Sequence, residues 1–75
     1  MKLVKVIWRD SNILQGWQGD TTECKLAVCE DVGWIVEEDN DMIALARGIS
    51  NYNFYNSPMA IPKGCISEIK ELRIR

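Results

Sequence analysis

The chain has 75 residues, a formal net charge of −2 and no histidine. A chain of this length has room for one small core, so we expect residues 1–75 to form a single domain. The absence of histidine removes the commonest general base and the commonest metal ligand. The acidic total argues against sequence-independent binding of long nucleic acids, which depends on many contacts to phosphates.

Hydrophobic residues make up 47% of the chain, which favours a folded core over disorder. A domain this small buries only about 60% of the surface that its unfolded chain exposes, so its stability margin is narrow. Small domains without disulfides often gain stability by associating. We therefore expect a homo-oligomer.

The charges are unevenly distributed along the chain. Residues 47–75 carry five basic groups against two acidic ones, Glu68 and Glu71. Residues 26–46 contain no Lys or Arg, and their acidic residues are Glu30, Asp31, Glu37, Glu38, Asp39 and Asp41. This distribution predicts one acidic region and one mildly basic region.

The three cysteines, Cys24, Cys29 and Cys65, leave one unpaired in any disulfide scheme, and their spacing matches no zinc pattern. We interpret them as small buried hydrophobic residues of a protein in a reducing cytoplasm. The apolar run near the N-terminus ends at Arg9, before the length of a signal peptide, and no run approaches the ~20 apolar residues of a membrane helix. The sequence thus predicts a cytoplasmic protein without a membrane partner.

Strand-forming residues alternate over residues 3–9, which predicts a first strand. Its second face, with Leu3 and Ile7, is less polar than a solvated face, so we expect another subunit or a loop to cover it. Residues 10–22 are rich in Asp, Asn, Gly and Thr, which predicts a loop. Trp17 within it either binds a ligand or folds back onto an open end of the core.

Residues 23–38 are typical of one long strand or of two strands joined by a bend, with Gly33 marking a bulge, a bend or the close approach of another backbone. Apolar residues occur on both parities of this segment, so Trp34 lies in the core or on an interface, and we favour the core. The short polar residues 39–41 predict the turn of a β-hairpin. The strand after the turn is predicted over residues 42–49. Arg47 in it lies at a strand end in solvent or faces a pocket.

Residues 50–58 form a loop that is dense in Asn and aromatic residues. Amide groups together with flat rings can bind a planar polar ligand, or they can be ordinary turn residues that cover a core. Residues 59–61 predict a short strand, and residues 62–65 predict a tight turn or a 3₁₀ turn. For residues 66–75 we favour a last strand over a short helix.

This order of elements is the layout of small five-stranded SH3-like and Sm-like barrels. Closing an antiparallel sheet suits a small all-β chain because a barrel leaves fewer exposed edges. We therefore predict an all-β, five-stranded antiparallel barrel with a short 3₁₀ turn before the last strand. An open antiparallel sheet with a terminal helix is the alternative.

Five segments also carry a family resemblance: residues 6–11 (VIWRDS), 16–17 (GW), 32–39 (VGWIVEED), 43–46 (IALA) and 60–66 (AIPKGCI). In these the chain resembles small uncharacterised bacteriophage and prophage proteins. The resemblance covers most of the chain, and the loop over residues 50–58 is its variable part. It implies a phage accessory protein that acts in the cytoplasm of a bacterial host.

Catalysis has little support in the sequence. A nucleophile such as Ser11 or Cys29 would need a base from Lys, Asp or Glu, and no spacing presents such a pair. Asp39 and Asp41 lack the remaining ligands of a Ca²⁺ loop, and the phosphate-binding glycine motifs are missing. We expect no enzyme activity, no cofactor and no metal.

Binding has more support, because aromatic rings, amides and guanidinium groups together can enclose a planar anionic ligand. The interior of a small barrel leaves little room, so the site is expected between subunits. Our hypothesis is an oligomeric protein that sequesters a nucleotide-type ligand such as a host immune signal. Its candidate ligand-binding residues are Trp8, Arg9, Ser11, Trp17, Arg47, Asn51, Tyr52, Asn53 and Tyr55.

Two other functions stay open. The acidic hairpin could bind a basic surface of a host protein and inhibit it, since such patches give fast, salt-sensitive association. A weaker alternative is a single-stranded nucleic-acid binder, which would need a basic stripe built from Lys2, Lys5, Arg9, Arg73 and Arg75.

Overall fold

The computed structural model of the protein describes residues 1–73, and in these the chain is all-β. The strands are β1 (Leu3–Asp10), β2 (Ala27–Glu38), β3 (Met42–Ala46), β4 (Gly48–Ile49), β5 (Tyr55–Asn56), β6 (Met59–Pro62) and β7 (Ile66–Glu71), with a 3₁₀ turn over Lys63–Cys65. The predicted hairpin turn at residues 39–41 and the predicted 3₁₀ turn before the last strand are confirmed.

Five strands form one antiparallel sheet in the order β6-β3-β2-β1-β7, and β4 pairs with β5 in a separate two-stranded ladder. The two edges of the large sheet are β6 and β7, and no ladder joins them within residues 1–73. The antiparallel five-stranded sheet is thus confirmed, while its closure into a barrel stays a prediction, because the sheet of the described residues is open. The same residues contain no helix that is long and apolar enough to cross a membrane.

The core lies on one face of the sheet and is small. Alternation in β1 and β3 directs apolar side chains to this face, where they meet one side chain of β6. The fully buried members are Val4, Val6, Ile43, Leu45 and Ile61, with Trp8, Ile35 and Ile66 packed against them. Much of the chain lies away from this core, since the molecule measures 52 × 27 × 23 Å.

Gly33 lies where β3 comes closest to β2. A Cβ atom at this position would lie 2.7 Å from the carbonyl oxygen of Ala46, which is too close for a side chain. The register between β2 and β3 also shifts by one residue between Ile35 and Glu37, which is a β-bulge. Of the three alternatives left open for Gly33, the structure shows the close approach of another backbone, and the bulge follows three residues later.

The long strand β2 serves two neighbours in turn. Residues 27–34 pair with β1, whereas residues 34–38 pair with β3. Beyond Ala46 the chain continues into β4, which pairs with β5 rather than with β2. The first half of β2 therefore has a partner on one side only within residues 1–73.

Several predicted boundaries differ from the observed ones. The predicted strand over residues 23–38 begins only at Ala27, so the preceding loop extends from residue 11 to residue 26. The predicted strand over residues 42–49 is divided at Arg47, and the loop over residues 50–58 contains β5. The last strand is confirmed as a strand but ends at Glu71, and Ile74 and Arg75 lie outside the described residues.

Three interpretations of individual side chains were wrong. Cys24 and Cys65 are exposed and Cys29 is half-buried, so the cysteines do not act as core residues. Trp17 is fully exposed and covers no part of the core. Trp34, for which we favoured the core, lies on the opposite face, because its neighbour Gly33 pairs with the core residue Val4.

Replacing Gly33 with alanine should destabilise the domain by about 1–3 kcal/mol, because the added Cβ would force the backbone of β3 away from β2. Gly64→Ala is the matched control, since a Cβ at Gly64 has no described atom within 4 Å. Urea unfolding followed by circular dichroism measures both variants. Equal midpoints for the two would contradict the close approach.

Candidate functional site

The two longest loops of the molecule project from the sheet in the same direction. β1 and β3 both run antiparallel to β2, so they run parallel to each other and end on the same side. The loop of residues 11–26 follows β1, and the arm, defined as residues 47–57, follows β3. All the candidate ligand-binding residues lie in these two segments or in the last residues of β1.

A cleft of about 200 Å³ lies at the base of the arm. Its lining includes Asp31 and Val32 of β2, Arg47 at the start of the arm, and Met59 of β6. Arg47 is exposed and Asp31 is half-buried, so the cleft offers a guanidinium and a carboxylate beside apolar surface. This places Arg47 at a pocket, which is one of the two positions that the sequence left open for it.

Trp8 and Arg9 face different surroundings. The indole Nε1 of Trp8 donates a hydrogen bond of 2.8 Å to Oδ2 of Asp31, and the ring packs against the core. Arg9 lies on the other face of β1 and lines a second cleft of about 390 Å³ with Cys65 and Ser67. The structure therefore does not bring Arg9 and Arg47 into one pocket.

The tip of the arm is an ordered turn built around Ser50. Its hydroxyl oxygen accepts hydrogen bonds from the backbone amides of Tyr52 and Phe54, at 3.2 and 3.0 Å. Asn53 has a φ of 62°, a left-handed conformation that asparagine tolerates well. Asn51, Tyr52 and Asn53 line no described cleft, and the turn presents their side chains to solvent.

The remaining candidates also lie apart. Tyr55 lines an open cleft along the arm with Ile49 and Phe54. Ser11 follows β1, and its backbone amide donates to the Asp10 carboxylate at 2.8 Å. Trp17 projects from the middle of the loop of residues 11–26 with its ring fully exposed. The candidate residues thus lie at one end of the sheet, on both of its faces, and one chain does not enclose a ligand between them.

The acidic hairpin at the opposite end of β2 is stabilised by its own carboxylates. Asp39 accepts hydrogen bonds from the backbone amides of Asp41 and Met42, at 2.7 and 2.9 Å, and these bonds hold the pKa of Asp39 below its usual range. Glu38 forms a 2.8 Å ion pair with Lys63. Glu37 and the side chain of Asp41 are exposed at the tip.

The basic residues at the start of the chain do not form a free stripe. Lys5 forms a 2.7 Å ion pair with Glu30 across the β1–β2 ladder. The hydrogen bond to Glu30 raises the pKa of Lys5. Arg73 follows β7, and Arg75 lies outside the described residues. The pairing of Lys5 therefore weakens the case for nucleic-acid binding along this face.

Sequence reasoning missed Asp31, Ser50 and Met59 as parts of these surfaces. The sequence did contain a signal for Asp31. This residue is separated by two and four residues from Gly33 and Ile35, so it lies on the same core-facing side of β2. An acidic residue on a core-facing parity needs a polar partner, and Trp8 supplies it. Ser50 had no such signal, because its role depends on the geometry of the turn.

Within residues 1–73, no group of three His, Cys, Asp or Glu side chains could hold a metal ion. Comparison of the chain with protein-family models, with characterised proteins and with solved structures finds no match. The candidate surfaces therefore have to be interpreted from their own chemistry.

The hydrogen bonds of Asp39 predict a pH-dependent contribution to stability. Its folded-state pKa is lowered, so the stabilisation is present above the unfolded pKa of about 3.9 and is lost as the pH falls through the folded value. Asp39→Asn should therefore be less stable than the native chain at pH 7, and this difference should shrink towards pH 2. Urea midpoints across this range measure it.

Asp41→Asn is the control for this experiment, because the Asp41 carboxylate accepts no hydrogen bond from the described part of the chain. The same pH response in both variants would contradict the role assigned to Asp39.

Proposed function

We propose that the protein is a non-catalytic binding protein that works as a homo-oligomer and sequesters a small, planar, anionic ligand of the nucleotide type. One observation carries this proposal. The candidate residues lie at one end of the sheet, yet Arg47, Tyr55 and Arg9 line three separate clefts of a single chain. Bringing two copies together would place the exposed rings of one copy opposite the cleft of the other.

The chemistry of the exposed groups supports an anionic planar ligand. Arg47 at the base of the arm can bind a phosphate through two parallel hydrogen bonds. Trp17 and Tyr52 offer exposed rings for stacking, and stacking of a base on such a ring contributes about 1–3 kcal/mol. Asn51 and Asn53 add amide donors and acceptors for base edges.

The class of protein and its setting belong to the same proposal. The strand order, with one 3₁₀ turn between the last two strands, supports the small SH3-like or Sm-like barrel class. The resemblance to phage and prophage proteins supports action in a bacterial cytoplasm, where the ligand would be an immune signal of the host. Sequestration requires affinity alone, so it needs no catalytic group.

A second candidate function is inhibition of a host protein through the acidic hairpin. Glu37, Glu38 and Asp41 are exposed together at one tip, and this exposure favours the second function. At this tip, Lys63 is the one cation in a described ion pair, which it forms with Glu38. Such a tip can steer association with a basic partner.

Native mass spectrometry of protein purified from bacteria tests the first function. We expect an oligomer that carries an added mass of a few hundred daltons, released when the protein is denatured. A monomer without added mass, also after incubation with a panel of nucleotides, would contradict sequestration.

Two sets of variants separate the two functions. Trp17→Ala with Arg47→Ala removes one stacking ring and one charged donor, so affinity for a captured nucleotide should fall about 100-fold or more. Charge reversal at Glu37, Glu38 and Asp41 should leave this affinity nearly unchanged and should abolish binding to a host protein. Isothermal titration calorimetry with the released nucleotide measures the first effect, and the reverse pattern would support the second function.

A further inference from the structure

The first half of β2 has a free edge whose backbone groups can be identified. The Ile35 amide donates to the Lys2 carbonyl at 2.9 Å, which makes this position a hydrogen-bonded pair of the β1–β2 ladder. Hydrogen-bonded pairs alternate along an antiparallel ladder, so Gly33, Asp31 and Cys29 also bond to β1. The amides and carbonyls of Val28, Glu30 and Val32 therefore point away from β1.

No described strand uses these outward groups. Trp34 also points its backbone groups away from β1, and it pairs with Ala46 of β3. Within residues 1–73, no strand pairs with residues 27–33 of β2 on the side away from β1. The chain turns away at Arg47, whose amide donates to the carbonyl of Asn56 at 3.1 Å and so starts the β4–β5 ladder. The space between the first half of β2 and the arm is a notch, and the 200 Å³ cleft lies at its base.

Apolar side chains are exposed on the first half of β2 and on the arm. Val28 and Val32 of β2 are 72% and 55% exposed. Phe54 of the arm is 75% exposed, and Tyr52 and Ile49 are exposed as well. An open strand edge beside exposed apolar side chains favours pairing with another chain unless something covers it.

We propose that the arm of a second copy of this chain enters the notch and pairs with the free edge of β2, and that the two copies exchange arms reciprocally. Each copy then gives one arm and receives one, so the same surfaces are used on both sides of a twofold axis and the assembly closes as a dimer. The inference rests on the homo-oligomer of the proposed function and not on its ligand.

Stability is the reason why the occupant is a second copy. Five fully buried side chains form the core, and the radius of gyration is 15.4 Å, against roughly 11 Å for a compact domain of this length. A fold with so little buried apolar surface has to bury more of it to be stable, and this need is present whenever the chain is folded. Other copies of the chain are always present wherever the protein is made.

The charges of the two surfaces are complementary. The arm and Pro58 contain Arg47 and no acidic residue. The free edge of β2 carries Glu30 and Asp31, and Glu30 forms an ion pair with Lys5. An arm with a cation at its base therefore meets an acidic edge without like charges in contact.

The area involved is also sufficient. Tyr52, Phe54 and the exposed part of Ile49 would together bury on the order of 400 Å² on each arm. Two surfaces in contact lose similar areas, so the receiving edge would bury about as much, and reciprocal exchange would double the total to about 1,600 Å². This is the usual size of a stable protein interface.

Phe54→Glu tests the exchange, because it removes a ring from the arm and places a negative charge against the acidic edge. Ile13→Glu is the matched control: Ile13 is also 75% exposed but lies in the other projecting loop. Sedimentation velocity should show a dimer for the native chain and for Ile13→Glu, and at least a tenfold weaker dimer for Phe54→Glu. Circular dichroism should show the same β content in all three.

A second measurement remains informative if Phe54→Glu does not fold. Amide hydrogen exchange of the native chain should show protection at Val28, Glu30 and Val32, which have no described intrachain acceptor. A monomeric native chain, or a native dimer in which these three amides exchange freely, would overturn the proposal. A dimer with protected amides that carries no ligand would overturn only the ligand part of the proposed function.

Discussion

The organisation of this molecule depends on the close approach of two backbones at Gly33. The carbonyl oxygen of Ala46 occupies the space that a side chain at Gly33 would need. At this point β2 changes partners, from β1 over its first half to β3 over its second half. Two core residues lie directly at this point, since Val4 pairs with Gly33 and the Cβ atom of Leu45 would lie 3.4 Å from a Cβ at Gly33.

The separation of the strands beyond Gly33 also determines where the functional groups lie. Since β3 turns away at Arg47, the arm projects beside β2 and carries its aromatic residues into solvent. The loop of residues 11–26 projects in the same direction from the neighbouring strand. The candidate ligand-binding residues thus lie at one end of the sheet, and the single chain does not enclose them.

Patterns of local origin were predictable from the sequence. Alternation located β1, the polar residues 39–41 located the hairpin, and Pro62 followed by Lys63-Gly64-Cys65 located the 3₁₀ turn. Gly33 indicated a bulge, a bend or a close approach, because a glycine inside a strand usually has one of these roles. These features depend on residues that are neighbours in the chain.

Features that depend on distant residues were not predictable in the same way. The exposure of Trp17 and of Cys24 depends on the position of a long loop, which no periodicity describes. Trp34 was expected in the core because both faces of β2 are apolar, and only the pairing of Gly33 with Val4 decides between them. The separation of Arg9 from Arg47 follows from opposite faces of the sheet. The closure of a barrel is likewise a long-range property, and the alternation of residues does not determine it.

If association supplies the apolar burial that the single chain lacks, as we propose, the melting temperature must depend on protein concentration. For a dimer that unfolds to monomers, a hundredfold increase in concentration should raise the Tm by roughly 5–10 °C. A Tm that stays constant from about 1 to 100 μM would contradict the claim, because a monomer that unfolds alone has a concentration-independent midpoint.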